Sequence, residues 1–164
     1  MKQIKYLSLV FAVVISITMA STAQAFLSGS APIEVSEQLP PVFTDDYGRA
    51  IKGYDAVAYF TEDEALYGKD EYNYRWNGAI WHFINAENRD SFIADPKRYA
   101  PQYGGYCAYA MSLGYAVKID PEAWTIHQGK LYLNQYSVRY KWLEDVKSFI
   151  VDADNHWQRV EFVR

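Results

Sequence analysis

Residues 72–84 read YNYRWNGAIWHFI, and this run restricts the fold more than any other. Tyr72, Tyr74 and Trp76 alternate with polar Asn73 and Arg75, the two-residue period of a strand. Asn77-Gly78 follows at once. A type I′ turn needs positive φ at both central residues, and Asn-Gly supplies them at least cost. The return strand, 79–84, sets Trp81 and Phe83 on one face and Ile80, His82 and Ile84 on the other. The sequence therefore predicts a β-hairpin here.

Helical signals surround it. Asn85 is placed to cap a helix from 86 to about 94, with a thin apolar stripe of Phe92 and Ile93. Asp95-Pro96 ends that helix and opens a short turn anchored by Tyr99 and closed by Pro101. Gly104-Gly105 allows the chain to bend sharply into a helix expected over 106–113, with Gly114 just past its end. A strand is expected over 115–119, then one helical turn opened by Asp120-Pro121. A second hairpin is expected about Gln128-Gly129, with Trp124, Ile126, Leu131 and Leu133 facing inward.

Ser137 reads as the cap of the longest helix, to about Val151, whose stripe is Val138, Trp142, Val146, Phe149 and Ile150. A last amphipathic piece covers 154–163. Upstream, Asp55 is placed to cap a short turn, and 61–70 is acidic and surface-like. Short strands and helices with no βαβ repeat indicate an α+β fold, with two β-hairpins and C-terminal helices.

The first residues read as an address. Lys2 and Lys5 precede an apolar run over 6–20, and Ala23-Gln24-Ala25 is a small-x-small cleavage pattern. The expected organisation is a signal peptide over 1–25, a lead segment over 26–44 and one domain over 45–164. Localisation would then be periplasmic or secreted, with no membrane insertion after cleavage. Cleavage would remove two of the 16 basic residues and none of the 20 acidic ones, changing the net charge from −4 to −6. That balance argues against nucleic acid as a partner. A periplasmic partner protein is compatible with it.

Cys107 is the one cysteine, so an internal disulfide is excluded. It lies in YGGYCAYAMSLG, residues 103–114, four residues before Met111 and among Tyr103, Tyr106 and Tyr109. On a helix, i and i+4 share a face. Two sulfurs so placed suit a soft ion such as Cu(I), with His127, His82 or His156 as third ligand. Cys107 also follows a glycine pair in a first helical turn, where backbone N–H groups favour a thiolate and redox chemistry. Against both stands a buried, inert cysteine beside a methionine that fills a core gap. Tyr103 and Tyr106 are candidate pocket-lining residues. The acidic runs Asp45-Asp46 and Glu62-Asp63-Glu64 read as solvated surface.

The ordered series GYDAVAYF, RWNGAIWHF and SFIADPKRY, continuing into YGGYCAYAMSLG and GKLYLN, resembles an exported subfamily of YHS domains over residues 51–157. YHS domains attached to metal pumps resemble metal-sensing modules, with cysteines in a DPVC turn and an FCSxxC step. The matching positions here are Ala58, Ile84 and Asn88, so those thiols are absent. The resemblance implies the scaffold without its usual metal site. Three functions are therefore expected in competition: soft-metal binding at Cys107, periplasmic thiol redox with Cys107 as the catalytic group, or a non-catalytic module that binds a small ligand or partner.

Overall fold

A computed structural model describes residues 33–34 and 38–162. The expected signal peptide lies outside the described residues. The fold is a small α+β domain built from three two-stranded antiparallel sheets and short helices. The predicted class holds.

The described residues open with β1 (Ile33–Glu34), followed by a 3-10 turn at Ile51–Gly53 and α1 (Ala58–Thr61). The hairpin of β2 (Lys69–Trp76) and β3 (Ala79–Phe83) pairs Trp76 with Ala79 and Tyr74 with Trp81. Asn77 and Gly78 have φ of 49° and 82°, as a type I′ turn requires. α2 (Ala86–Ala94) starts where Asn85 Oδ1 accepts from Asn88 N at 2.8 Å. α3 (Pro96–Tyr99) follows under an Asp95 cap. After a 3-10 turn at Gln102–Gly105 come α4 (Ala108–Ser112) and β4 (Tyr115–Ala116), the latter paired with β1.

β5 (Asp120–His127) and β6 (Lys130–Asn134) form the second hairpin, with Gln128 and Gly129 again at positive φ. A 3-10 turn at Tyr136–Val138 leads into α5 (Arg139–Trp142), and α6 (Val146–Trp157) completes the fold.

Several expectations change, and the strand expected over 115–119 is confined to Tyr115–Ala116. The long helix from Ser137 is two helices, because Asp145 leaves helical φ/ψ and its carboxylate accepts from Ser148 N at 3.1 Å, restarting the helix. The continuation of α6 to Trp157 absorbs the first four residues of the separate piece expected over 154–163. Asp120-Pro121 opens a strand rather than a helical turn. Asp120 pairs with Asn134, and a bulge before Trp124 accommodates the proline at the strand's start.

Two apolar clusters share the interior. One gathers Tyr59, Trp81, Phe83, Phe92, Ile119, Leu131, Leu133 and Cys107. The other gathers Leu39, Tyr103, Tyr106, Met111, Tyr132 and Trp142, against which α6 packs Val146, Phe149, Ile150 and Trp157. β6 divides them by its period of two: Leu131 and Leu133 face one cluster and Tyr132 the other. The end of the lead segment, from residue 38 on, is laid onto this interior, since Leu39 is buried and its N–H donates to Glu161 O at 2.8 Å.

Candidate functional site

Cys107 is the N-cap of α4, with φ −60° and ψ 116°, and not a residue within it. Its N–H donates to Val117 O at 3.1 Å, which holds the residue extended and delays the helix expected from 106. Its carbonyl accepts from Met111 N at 2.9 Å, the first i, i+4 bond of the helix. Cys107 packs into the first cluster and Met111 into the second. Sγ is 0% exposed with its residue, lies 3.7 Å from Asn134 Oδ1 and accepts from Gln135 N at 3.4 Å. Asn134 Oδ1 also takes the Tyr109 N–H at 2.9 Å, tying α4 to β6.

Burial pushes the Cys107 thiol above its ordinary range, and the nearby N–H groups of Ala110, Gln135 and Tyr109 only partly offset it. The N–H groups that the glycine pair and helix start promised are present. Desolvation outweighs them.

The histidines are elsewhere. His82 is buried on β3, and its Nδ1 lies 3.3 Å from Asp70 Oδ1 without hydrogen-bond geometry. Asp70 is 91% exposed, so water screens that attraction, and desolvation lowers the His82 pKa. His127 ends β5 at the second turn, and His156 lies on α6 beside Gly114. Among the described residues no three His, Cys, Asp or Glu side chains gather as a metal site requires, so Cys107, His82 and His127 do not converge.

Convergence does occur at Asp55. This fully buried carboxylate accepts from Val57 N at 2.7 Å and Ala58 N at 3.2 Å through Oδ1. Through Oδ2 it accepts from Ile84 N at 2.9 Å and Asn88 Nδ2 at 2.7 Å. Ala58, Ile84 and Asn88 are the three positions to which the YHS resemblance assigns cysteines. Their N–H groups, with that of Val57, surround one carboxylate and form a closed hydrogen-bond network.

An accessible concavity lies apart from Cys107. It is a groove of about 380 Å³ where the first hairpin tip, the segment around α3 and the adjoining 3-10 turn, the start of β6 and the end of α6 meet. Trp76, Trp81, Trp157 and Tyr103 supply its aromatic wall, and Lys97 and Lys130 its charge. None of the lining residues is acidic. Tyr103 is a wall residue of this groove. Tyr106 does not line the groove; it packs 6.3 Å from Trp157, behind it, with its OH donating to Pro40 O at 3.2 Å.

The wall is rigidly supported. Trp81 Nε1 donates to Trp76 O at 3.0 Å, and the Trp76 ring stands edge-on to Phe92 at 5.7 Å. Tyr103, in the left-handed region at φ 54°, donates its OH to Asp154 Oδ1 at 2.9 Å and packs against Trp157 at 6.0 Å. Gly104 beside it admits the carbonyl of Pro41: a Cβ there would come within 2.4 Å of that oxygen. Burial drives the Tyr103 hydroxyl pKa far upward and pushes Tyr106 up to about 12, so both remain neutral donors.

Sequence reasoning missed Trp76, Trp157, Lys97 and Lys130 as site residues. One local signal was available: Trp76 directly precedes one hairpin turn and Lys130 directly follows the other, where side chains stay reachable. No family model, curated protein or solved structure matches this chain at a significant level.

Proposed function

We infer that this chain is an exported, non-catalytic module on a YHS-type scaffold, and that it binds a small ligand in the groove between its two hairpin tips. The observation that carries this is the groove itself. About 380 Å³ of concave space, walled by three tryptophans and a tyrosine on well-packed elements, falls within the usual size range of ligand sites. The gathering of Ala58, Ile84 and Asn88 around Asp55 supports the scaffold. The leader pattern over 1–25 supports export.

The thiol-centred readings draw less from the geometry. A soft ion needs two or three donors within reach, and the polar neighbours of Sγ are an amide oxygen and backbone N–H groups. A redox thiol needs access and thiolate character, whereas Cys107 is sealed and its pKa is raised.

The test is equilibrium dialysis of an aromatic probe, 2-naphthoate, against the full-length protein. Saturable binding with one site per chain is expected, weakened at least tenfold in Trp157→Ala and unchanged in Cys107→Ala. Trp157→Phe, which keeps an aromatic ring, guards against simple unfolding. Binding that persists in Trp157→Ala and disappears in Cys107→Ala would move the site to the thiol.

A further inference from the structure

The charge in the groove is out of keeping with the chain that carries it. The protein has 20 acidic and 16 basic residues, yet every ionisable side chain of fixed charge that lines the groove is a lysine. Lys97 and Lys130 come from different parts of the fold, one from α3 and one from the first position of β6. No carboxylate among the described residues lies within ion-pair distance of either. Two cations with no ion-pair partner among the described residues, set beside an aromatic wall, create a local positive potential.

We propose that the ligand is a small organic anion with a planar aromatic body, its negative group held by Lys97 and Lys130 and its ring set against Trp76 and Trp157. This rests on the groove reading above. Two features fix the class. The rings present apolar faces and edges that favour a flat partner at 4.5–7 Å between centroids, roughly the spacing they already use among themselves. The amides of Asn77 and Gln102 also line the groove and supply neutral donors and acceptors, so the lysines alone select for charge sign.

The experiment compares 2-naphthoate with its neutral isostere 2-naphthamide, and with acetate as competitor, on the full-length protein at low salt. Naphthoate is expected to bind about tenfold more tightly than the amide, the order of magnitude two solvent-screened charges supply. That ratio is expected to fall to near unity in Lys97→Gln/Lys130→Gln and in 0.5 M NaCl. Acetate, which lacks the ring, is expected not to compete. Both lysines are exposed, so the double variant folds, which its thermal midpoint would verify. Equal binding of amide and carboxylate would overturn the anion assignment while leaving the groove as a ligand site. Absence of saturable binding by either probe would overturn both. A preference for naphthoate that persists in the double lysine variant would refute the role given to these two side chains.

Discussion

Asp55 is the residue whose loss should cost the fold most. Its carboxylate receives four N–H donors, of which those of Val57, Ala58 and Asn88 are in fully buried bonds. Asp55→Ala strands all of them, and nothing else on the short turn replaces an acceptor at that point. A buried donor left unmade costs about 1–3 kcal/mol. Allowing for partial relaxation, three such donors give a loss of roughly 3–6 kcal/mol, a large share of the 5–15 kcal/mol typical of a whole domain. Asp55→Asn is the sharper variant. It keeps volume and one oxygen, but turns an NH₂ toward either the Val57 and Ala58 N–H groups or Ile84 N and Asn88 Nδ2, setting donor against donor. It should cost about half as much. Urea unfolding of the full-length protein reads both changes as a shift in midpoint at constant slope. Hydrogen exchange should show lost protection at Val57, Ala58 and Ile84 specifically. A loss below about 1 kcal/mol in Asp55→Ala, or unchanged protection at those amides, would refute the network as a fold determinant.

Gly104→Ala places a methyl 2.4 Å from Pro41 O at φ 60° and should cost about 2–4 kcal/mol, while Gly105→Ala, whose nearest contact is 3.3 Å, should cost less; comparable urea midpoints for the two would contradict the clash. Cys107 should react with a disulfide reagent at pH 8 only as fast as the protein unfolds, and quickly in urea; stoichiometric labelling of the native protein within a minute would show that the thiol is open. His82 has a lowered pKa, so the unfolded chain takes up its proton near pH 6.5 while the folded one resists. Its stabilisation is present above that value and declines as pH falls toward the folded pKa, and His82→Gln should flatten the stability profile between pH 7 and 5. An equally steep profile in the variant would place the acid sensitivity elsewhere.

What the sequence determined was local. Asn77-Gly78 and Gln128-Gly129 make hairpins because the positive φ values they need belong to the residues themselves. Asn85 and Asp95 start helices because a short polar side chain reaches an N–H three residues on. The alternation along β6 announced an inward Leu131 and Leu133, and both are buried. Tertiary structure decided the rest. Cys107 is sealed by Asn134 and Gln135, 27 and 28 residues later, so a position that resembled an activated thiol became a desolvated one. Asp55 was legible as a turn cap, but its bonds to Ile84 and Asn88 span 29 and 33 residues. The groove needs the two hairpin tips, α3 and α6 brought together, and no window of sequence contains them all. Periodicity and capping are short-range steric and hydrogen-bonding effects that each segment carries alone. Burial, desolvation and concave shape arise only when distant segments exclude water from one another, and in this protein they moved the candidate site from Cys107 to the groove.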